Sequence, residues 1–264
     1  MDRLFRAFLC GLLLLLVFPI RVSSETTDTW EQLNKTTDQV LLYVKAENFE
    51  QAKIELAFFS NQFLQLNFQD ESLSMNDLRT VANTLEKTEE ALAALQLDFS
   101  ERVLYATSLR LTVDALSSEY EPLWLYTEPT VKGSLDYMLT SLQQEEIQQF
   151  QYGVGDFIRQ YEMLRPALYI DLEQEQLMRV DSQIRYLETL MNEEADNDVV
   201  TAHVELISNE WDLLYERVKE ENSDPSFIWV VLTIGGMIFF SLIYVGFRKF
   251  QAEKPFPRKA RGGE

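Results

Sequence analysis

Apolar residues recur every three or four positions along much of this chain, and that spacing predicts helices. Phe49, Ala52, Leu56, Phe59, Phe63 and Leu66 form one series, and Val200, Val204, Ile207, Trp211, Leu214 and Val218 form another. Ile170, Leu177, Val180, Ile184, Leu187 and Met191 form a third, in which only Glu173 breaks the pattern. Leu78, Val81, Leu85, Leu92 and Leu95 keep a heptad spacing with Thr88 as its gap. Each series lays one apolar stripe along one helical face, and that stripe must pack against another element. From Ile20 to Glu121 there are 102 residues with neither glycine nor proline. The missing breakers, with many Leu, Glu, Gln and Ala, favour long helices over turn-rich sheet.

The pattern places a first helix over Thr29 to Ala46 and a second over Phe49 to Leu66, with Asn48 and Gln51 as a capping box between them. After a polar break at Gln69 to Ser74, a helical tract reaches Tyr120, either as one rod or as two helices bent near Leu97-Asp98. Pro122 and Pro129 bracket the main interruption, Leu123-Trp124-Leu125-Tyr126. A helix then runs from Glu128 through Leu142, and Gly153 and Gly155 mark an expected bend. Further helices are expected over Gly155 to Leu164, Pro166 to Met191 and Asp198 to Glu220, with Pro225 ending the last. The expected fold is all-α, a bundle of about seven or eight antiparallel helices. Asn48-Phe49-Glu50-Gln51-Ala52 resembles the opening of a tetratricopeptide hairpin, but no second copy with the same landmarks stands about 34 residues away.

Two apolar segments lie outside this pattern. Ala7 to Ile20 follows Arg3 and Arg6 and leads to Val22-Ser23-Ser24, the three parts of a secretory signal with cleavage expected after Ser24. The alternative is an uncleaved anchor, for which this stretch, broken by Pro19, is short. Phe227 to Phe247 is a run of 21 uncharged residues, long enough for one C-terminal transmembrane helix, with Trp229 and Tyr244 near its ends. The 17 residues after it carry six basic side chains, among them Arg248, Lys249, Arg258 and Lys259, and this bias orients the tail toward the cytoplasm. The expected organisation is a signal peptide over 1–24, an acidic extracytoplasmic helical domain over 25–226, the span over 227–247 and a basic cytoplasmic tail over 248–264. The protein is thus expected in the cell membrane as a single-pass type I protein.

Charge narrows the choice of partners. Residues 25–226 hold 40 acidic and 14 basic side chains, a net charge of -26. Such a surface repels nucleic acid and anionic lipid, so neither is an expected partner of the domain. The single cysteine, Cys10, lies in the signal segment, so no disulfide is expected to hold the domain together. His203 is the single histidine, too few for the usual zinc ligand sets in the absence of cysteine. Glu194, Asp196, Asp198 and Glu205 fall at positions 1, 3, 5 and 12 of a calcium-loop register, but Val199 stands where that loop needs glycine. A solvated interhelix loop with Asp198 as an N-cap suits the residues better. Serine-nucleophile and phosphate-cradling glycine motifs are absent, and no carboxylate pair stands out as an acid and base. Neither catalysis nor a metal or other cofactor is expected. The proline-bracketed Leu123, Trp124, Leu125 and Tyr126 are the candidate docking patch for a partner.

The signal, the Trp30-Glu31-Gln32-Leu33 start of an acidic helical domain, the single C-terminal span and the short basic tail together resemble the sporulation protein YpjB family along the whole chain. The resemblance implies a membrane protein linked to sporulation and supplies no catalytic residues. The expected function is a non-catalytic interaction or scaffold component of the cell envelope that engages another exported or membrane protein. The alternative is a ligand-sensing ectodomain that signals through a partner span, since a 17-residue tail is too short for a signalling domain.

Overall fold

The computed structural model describes residues 24–65, 73–118, 121–193, 195–221 and 225–252. The signal segment, Arg258 and Lys259 lie outside the described residues, as do the Arg248 side chain and Glu194. Among the described residues the chain is all-helical, with no strand. The helices are α1 (Ser24–Lys45), α2 (Phe49–Leu64), α3 (Met75–Ala93), α4 (Phe99–Ser117), a 3₁₀ helix (Leu123–Thr127), α5 (Glu128–Gln143), α6 (Ile147–Asp171), α7 (Gln174–Asn192), α8 (Asn197–Glu221) and α9 (Pro225–Ala252).

Two of the turns end their helices without glycine. Glu47 and Glu145 take the left-handed conformation, at φ 57° and φ 59°. Glu47 N–H then donates to Val44 O and Asn48 N–H to Tyr43 O, and Glu145 N–H donates to Leu142 O and Glu146 N–H to Ser141 O. Both are Schellman closures in which glutamate stands where glycine is usual. At Glu47 this ends α1 inside the stretch that has no glycine or proline. Asn48 then caps α2 by accepting from Gln51 N–H at 3.4 Å. The Gln51 side chain turns away to Glu55, so only half of the expected capping box forms there. Ser74 and Asp77 make a full box at the start of α3.

Of the tract expected to reach Tyr120, residues 75–117 form two helices, and Tyr120 lies outside the described residues. α3 stops at Ala93, and Arg102, in the first turns of α4, reaches back over its end. Its guanidinium donates to the carbonyls of Ala91 (3.0 Å), Leu92 (3.3 Å), Ala94 (2.6 Å) and Leu97 (3.3 Å). The last carbonyls of a helix have no partner within it, and here one buried side chain supplies it. The same guanidinium lies 4.6 Å above the Phe49 ring, which ties the α3–α4 turn to the start of α2.

The residues up to Tyr215 form one unit and those from Glu216 a second, with the division inside α8. In the first unit α1 packs on α2 and α4, α3 packs on α4, and α6 packs on α4 and α5. Leu33, Val40 and Val44 of α1 meet Leu56, Phe59 and Phe63 of α2 and Leu109 and Val113 of α4 in one cluster. Ala52, Leu56, Phe59 and Phe63 of the first stripe and Val81, Leu85 and Leu92 of the heptad series are buried here, whereas Leu95, past the end of α3, is exposed, and Leu66 lies outside the described residues.

The region from Gly153 to Met191 departs from expectation. α6 runs unbroken through Gly153, Gly155 and Pro166 and ends at Asp171, and the break falls at Leu172-Glu173. Pro166 removes one backbone donor, which normally interrupts a helix. The buried series Phe157, Tyr161, Leu164 and Leu168 passes it on one face and keeps α6 continuous. Gly153 is a packing residue: a Cβ built there would lie 2.8 Å from Met138 Cγ and 3.0 Å from Tyr137 Cδ1, so its lack of side chain lets α5 and α6 approach.

Among the described residues no helix is long and apolar enough to cross a membrane. The described side chains of α9 run from Val230 to Val245, with Lys249 beyond them. The crossing expected over 227–247 therefore rests on the sequence.

Candidate functional site

Pro122 fixes the chain at φ -59° ahead of the bracketed segment, and Pro129 sits in the first turn of α5. Between them Leu123–Thr127 winds into a 3₁₀ helix. The exposed apolar patch expected here does not form. Trp124 is 0% exposed, Leu125 is buried, Leu123 is half-buried and Tyr126 alone projects, at 69%. The indole is an anchor for the core, because its ring and its donor both find partners inside.

Its ring lies 5.5 Å from that of Tyr215, which lies 5.7 Å from Trp211. Phe157 and Tyr161 of α6 meet Trp211 edge-on, at 6.1 Å and 6.3 Å. Edge-to-face and tilted contacts at these separations add to the burial of the rings. Thr127 Oγ1 donates to Trp124 O at 2.5 Å and stands 3.1 Å from the Tyr215 hydroxyl. Burial is the main cause that pushes the Tyr215 phenol up. The Trp124 Nε1–H donates to Oδ2 of Asp171, the last residue of α6.

Two acids stand around the 3₁₀ helix, Asp114 buried and Asp171 half-buried. Burial pushes the Asp171 carboxyl up to about 7; the Trp124 N–H opposes this and the Asp114 charge adds to it. Asp114 accepts from the Leu123 backbone N–H at 2.6 Å through Oδ2 and from Arg110 Nη1 at 3.3 Å through Oδ1. Arg110 also donates to Asn34 at 3.1 Å and to both carboxylate oxygens of Asp38. A polar chain thus runs from α1 through α4 to the 3₁₀ helix. The sequence carried a signal for it: Asp114 is charged yet follows Leu111-Thr112-Val113 and precedes Ala115, all of which are buried. A charge inside such a run needs a partner.

A second buried-edge cluster joins α6 to α7. Tyr161 O–H donates to Asp181, and Arg165 Nε and Nη2 donate to its two oxygens at 2.8 Å and 2.9 Å. Burial opposes ionisation of Asp181, but the bonds from Arg165 and Tyr161 hold its carboxyl below the usual range. Chemically these groups hold helices together; every close carboxylate has a donor that neutralises or orients it.

His203 Nε2 lies 2.8 Å from the Gln183 carbonyl, and its ring meets Tyr186 edge-on at 4.7 Å. In the acidic stretch α8 starts at Asn197, one residue before the expected cap, and Asp196 Oδ1 accepts from Asp198 N–H. Among the described residues no group of three or more His, Cys, Asp or Glu side chains could hold a metal ion. Lys249, expected to orient the membrane span, is exposed. Neither Asp114 nor Asp171 lines the surface groove between α3 and α6 or that between α4 and α6.

No solved structure gives a significant match to the chain. The uncharacterized protein YpjB of Bacillus subtilis (strain 168) is 24% identical over 248 residues, covering 93% of this chain and 94% of that protein. The family model of the sporulation protein YpjB matches residues 30–259, nearly the whole helical region and most of the tail. The chain belongs to the sporulation protein YpjB family.

Proposed function

We propose that this protein is a non-catalytic interaction component of the envelope in sporulating cells, exported through its N-terminal segment and anchored by 227–247. Its helical domain then lies outside the cytoplasm and the basic tail, with Arg248, Lys249, Arg258 and Lys259, inside. One observation carries the anchoring. From Val230 to Val245 α9 has no charged side chain, and large apolar residues stand exposed around its circumference, among them Leu232, Met237, Phe239, Phe240 and Ile243. A helix that is apolar on all faces is stable only where lipid or protein covers it. The non-catalytic reading is supported by the use of the buried acids, which brace helices. With Trp124 in the core, a partner would meet another surface of the domain.

The test is membrane fractionation of sporulating cells with an alkaline wash, followed by protease treatment of intact protoplasts. Retention in the washed membrane with the domain digested from outside is expected. Release by the wash, or a protected domain, would overturn the anchoring or the orientation. Crosslinking and affinity purification, with vegetative cells as control, would then identify the exported or membrane partner. The second reading, a ligand-sensing domain that signals through a partner span, is favoured by the groove between α3 and α6.

A further inference from the structure

The groove between α3 and α6 has a volume of about 270 Å³ and is lined on the α3 side by Asn76, Arg79, Thr80, Asn83, Thr84 and Lys87, with Arg165, Pro166 and Tyr169 opposite. No acidic side chain lines it, although residues 25–226 carry 40 acids against 14 bases. Three of those bases line it. Arg79 and Lys87 are exposed and make no ion pair among the described residues. The usual helical partners of Arg79 are missing: Met75 and Asn83 stand four residues to either side, and Asn76 and Ala82 three. Glu90 follows Lys87 by three but does not pair with it. Arg165 holds Asp181 through Nε and Nη2, which leaves Nη1 for another acceptor.

The other polar groups of the groove point the same way. Thr80 and Thr84 hydroxyls already donate to the carbonyls of Asn76 and Thr80. The amides of Asn76 and Asn83 make no side-chain hydrogen bond among the described residues and remain as donors. Arg79 and Lys87 are separated by eight residues of helix, about 12 Å along the axis. A single small anion cannot meet both, whereas a ligand with several anionic groups can. These groups suit phosphate oxygens, because the Arg79 fork gives paired donors, Arg165 adds its remaining Nη1 and the lysine supplies a point charge. Tyr169, partly exposed at one end, offers a ring for an apolar or ring portion of the ligand.

We infer that the α3–α6 groove is a binding site for a ligand bearing two or more phosphate groups, held by Arg79, Lys87 and Arg165. The inference is independent of the anchoring and scaffold reading. The acidic surface elsewhere repels such a ligand, which favours this acid-free groove for it.

The test is isothermal titration of the full-length protein in neutral detergent with sodium tripolyphosphate at low salt. Saturable one-site binding is expected, weakened about tenfold or more in R79Q/K87Q and by added salt. Both side chains are exposed and unpaired, so circular dichroism should show the variant folded. K35Q/K53Q, which removes two positive charges from Glu-paired surface positions on α1 and α2, should bind within about twofold of wild type. No saturation by wild type up to about 5 mM would overturn the proposal, as would equal binding by R79Q/K87Q. Equal loss in K35Q/K53Q would show bulk charge at work and would overturn it too. Equal affinity for citrate, a trianion without phosphorus, would overturn the assignment to phosphate. Inorganic phosphate, too short to span both cations, should bind much more weakly than tripolyphosphate, and equal affinity would reject the two-group ligand.

Discussion

The Trp124 indole donates its N–H to the Asp171 carboxylate, joining residues 47 apart in sequence across the start of the 3₁₀ helix and the end of α6. The indole is fully withdrawn from water and the carboxylate largely so, and each depends on the other. Replacing Trp124 with Phe keeps most of the apolar contact with Tyr215 but leaves the acid without its donor. At about pH 8, where Asp171 is ionised in the fold, the cost should be on the order of 2–3 kcal/mol. At about pH 5 the carboxyl is protonated and the loss should be smaller. Equal destabilisation at both pH values, measured by chemical denaturation, would show that lost packing and not the bond sets the cost.

Asp171 also sets a pH dependence. Its folded carboxyl titrates at about 7, well above its ordinary 3.8. The folded state therefore binds the proton more tightly than the unfolded chain. Stability falls as pH rises between the two values, and the penalty is fully present above the upper one. In Asp171→Asn the side-chain oxygen can still accept from Trp124 and no charge is buried beside Asp114. The variant should gain on wild type as pH rises from about 4 to about 8, by on the order of 2–4 kcal/mol. A constant difference across that range in thermal melts would disprove it.

Arg102 is the cap of α3, supplied from α4. Arg102→Ala strands the buried carbonyls of Ala91 and Leu92 and the part-buried one of Ala94, and removes the cation from the Phe49 ring. The expected loss is roughly 3 kcal/mol, since buried acceptors left without donors carry their full desolvation cost. Lysine restores charge but not the planar fork and should recover less than half of it. Hydrogen exchange should show the last turn of α3 opening first in Arg102→Ala.

Gly153 and Gly155 lie two residues apart in α6 and should respond oppositely to alanine. At Gly153 the new Cβ meets Met138 and Tyr137, so overpacking should destabilise by about 1–3 kcal/mol. At Gly155 nothing lies within 4 Å, so alanine should stabilise the helix by about 1 kcal/mol. Melting temperatures moving in the same direction would show that the α5–α6 approach is not tight at Gly153.

Glu145 closes α5 in the left-handed region, which costs an ordinary residue about 1–2 kcal/mol. Glycine adopts that conformation freely but loses more entropy on folding. Glu145→Gly should therefore give a net gain of about 0.5–1 kcal/mol. A loss on denaturant titration would mean that the glutamate side chain makes a compensating contact.

The helical class, the starts of α2 and α5 and the buried faces of α2, α3, α7 and α8 were legible in the sequence, because three- and four-residue spacing is a local property of the chain. So was the bracketed interruption at Leu123-Trp124-Leu125-Tyr126, since proline acts on its own neighbours. Tertiary structure alone decided which apolar groups in that interruption turn inward. Trp124 enters the core because Asp171 and Tyr215, remote in sequence, provide an acceptor and a ring face. The break between α3 and α4 likewise depends on Arg102 reaching back, and the continuity of α6 across Pro166 depends on what its buried face packs against. The cations of the α3–α6 groove stand 78 or more residues from one side to the other, and only packing brings them together. Periodicity shows that a face will be buried; it carries no information about which distant residue will cover it.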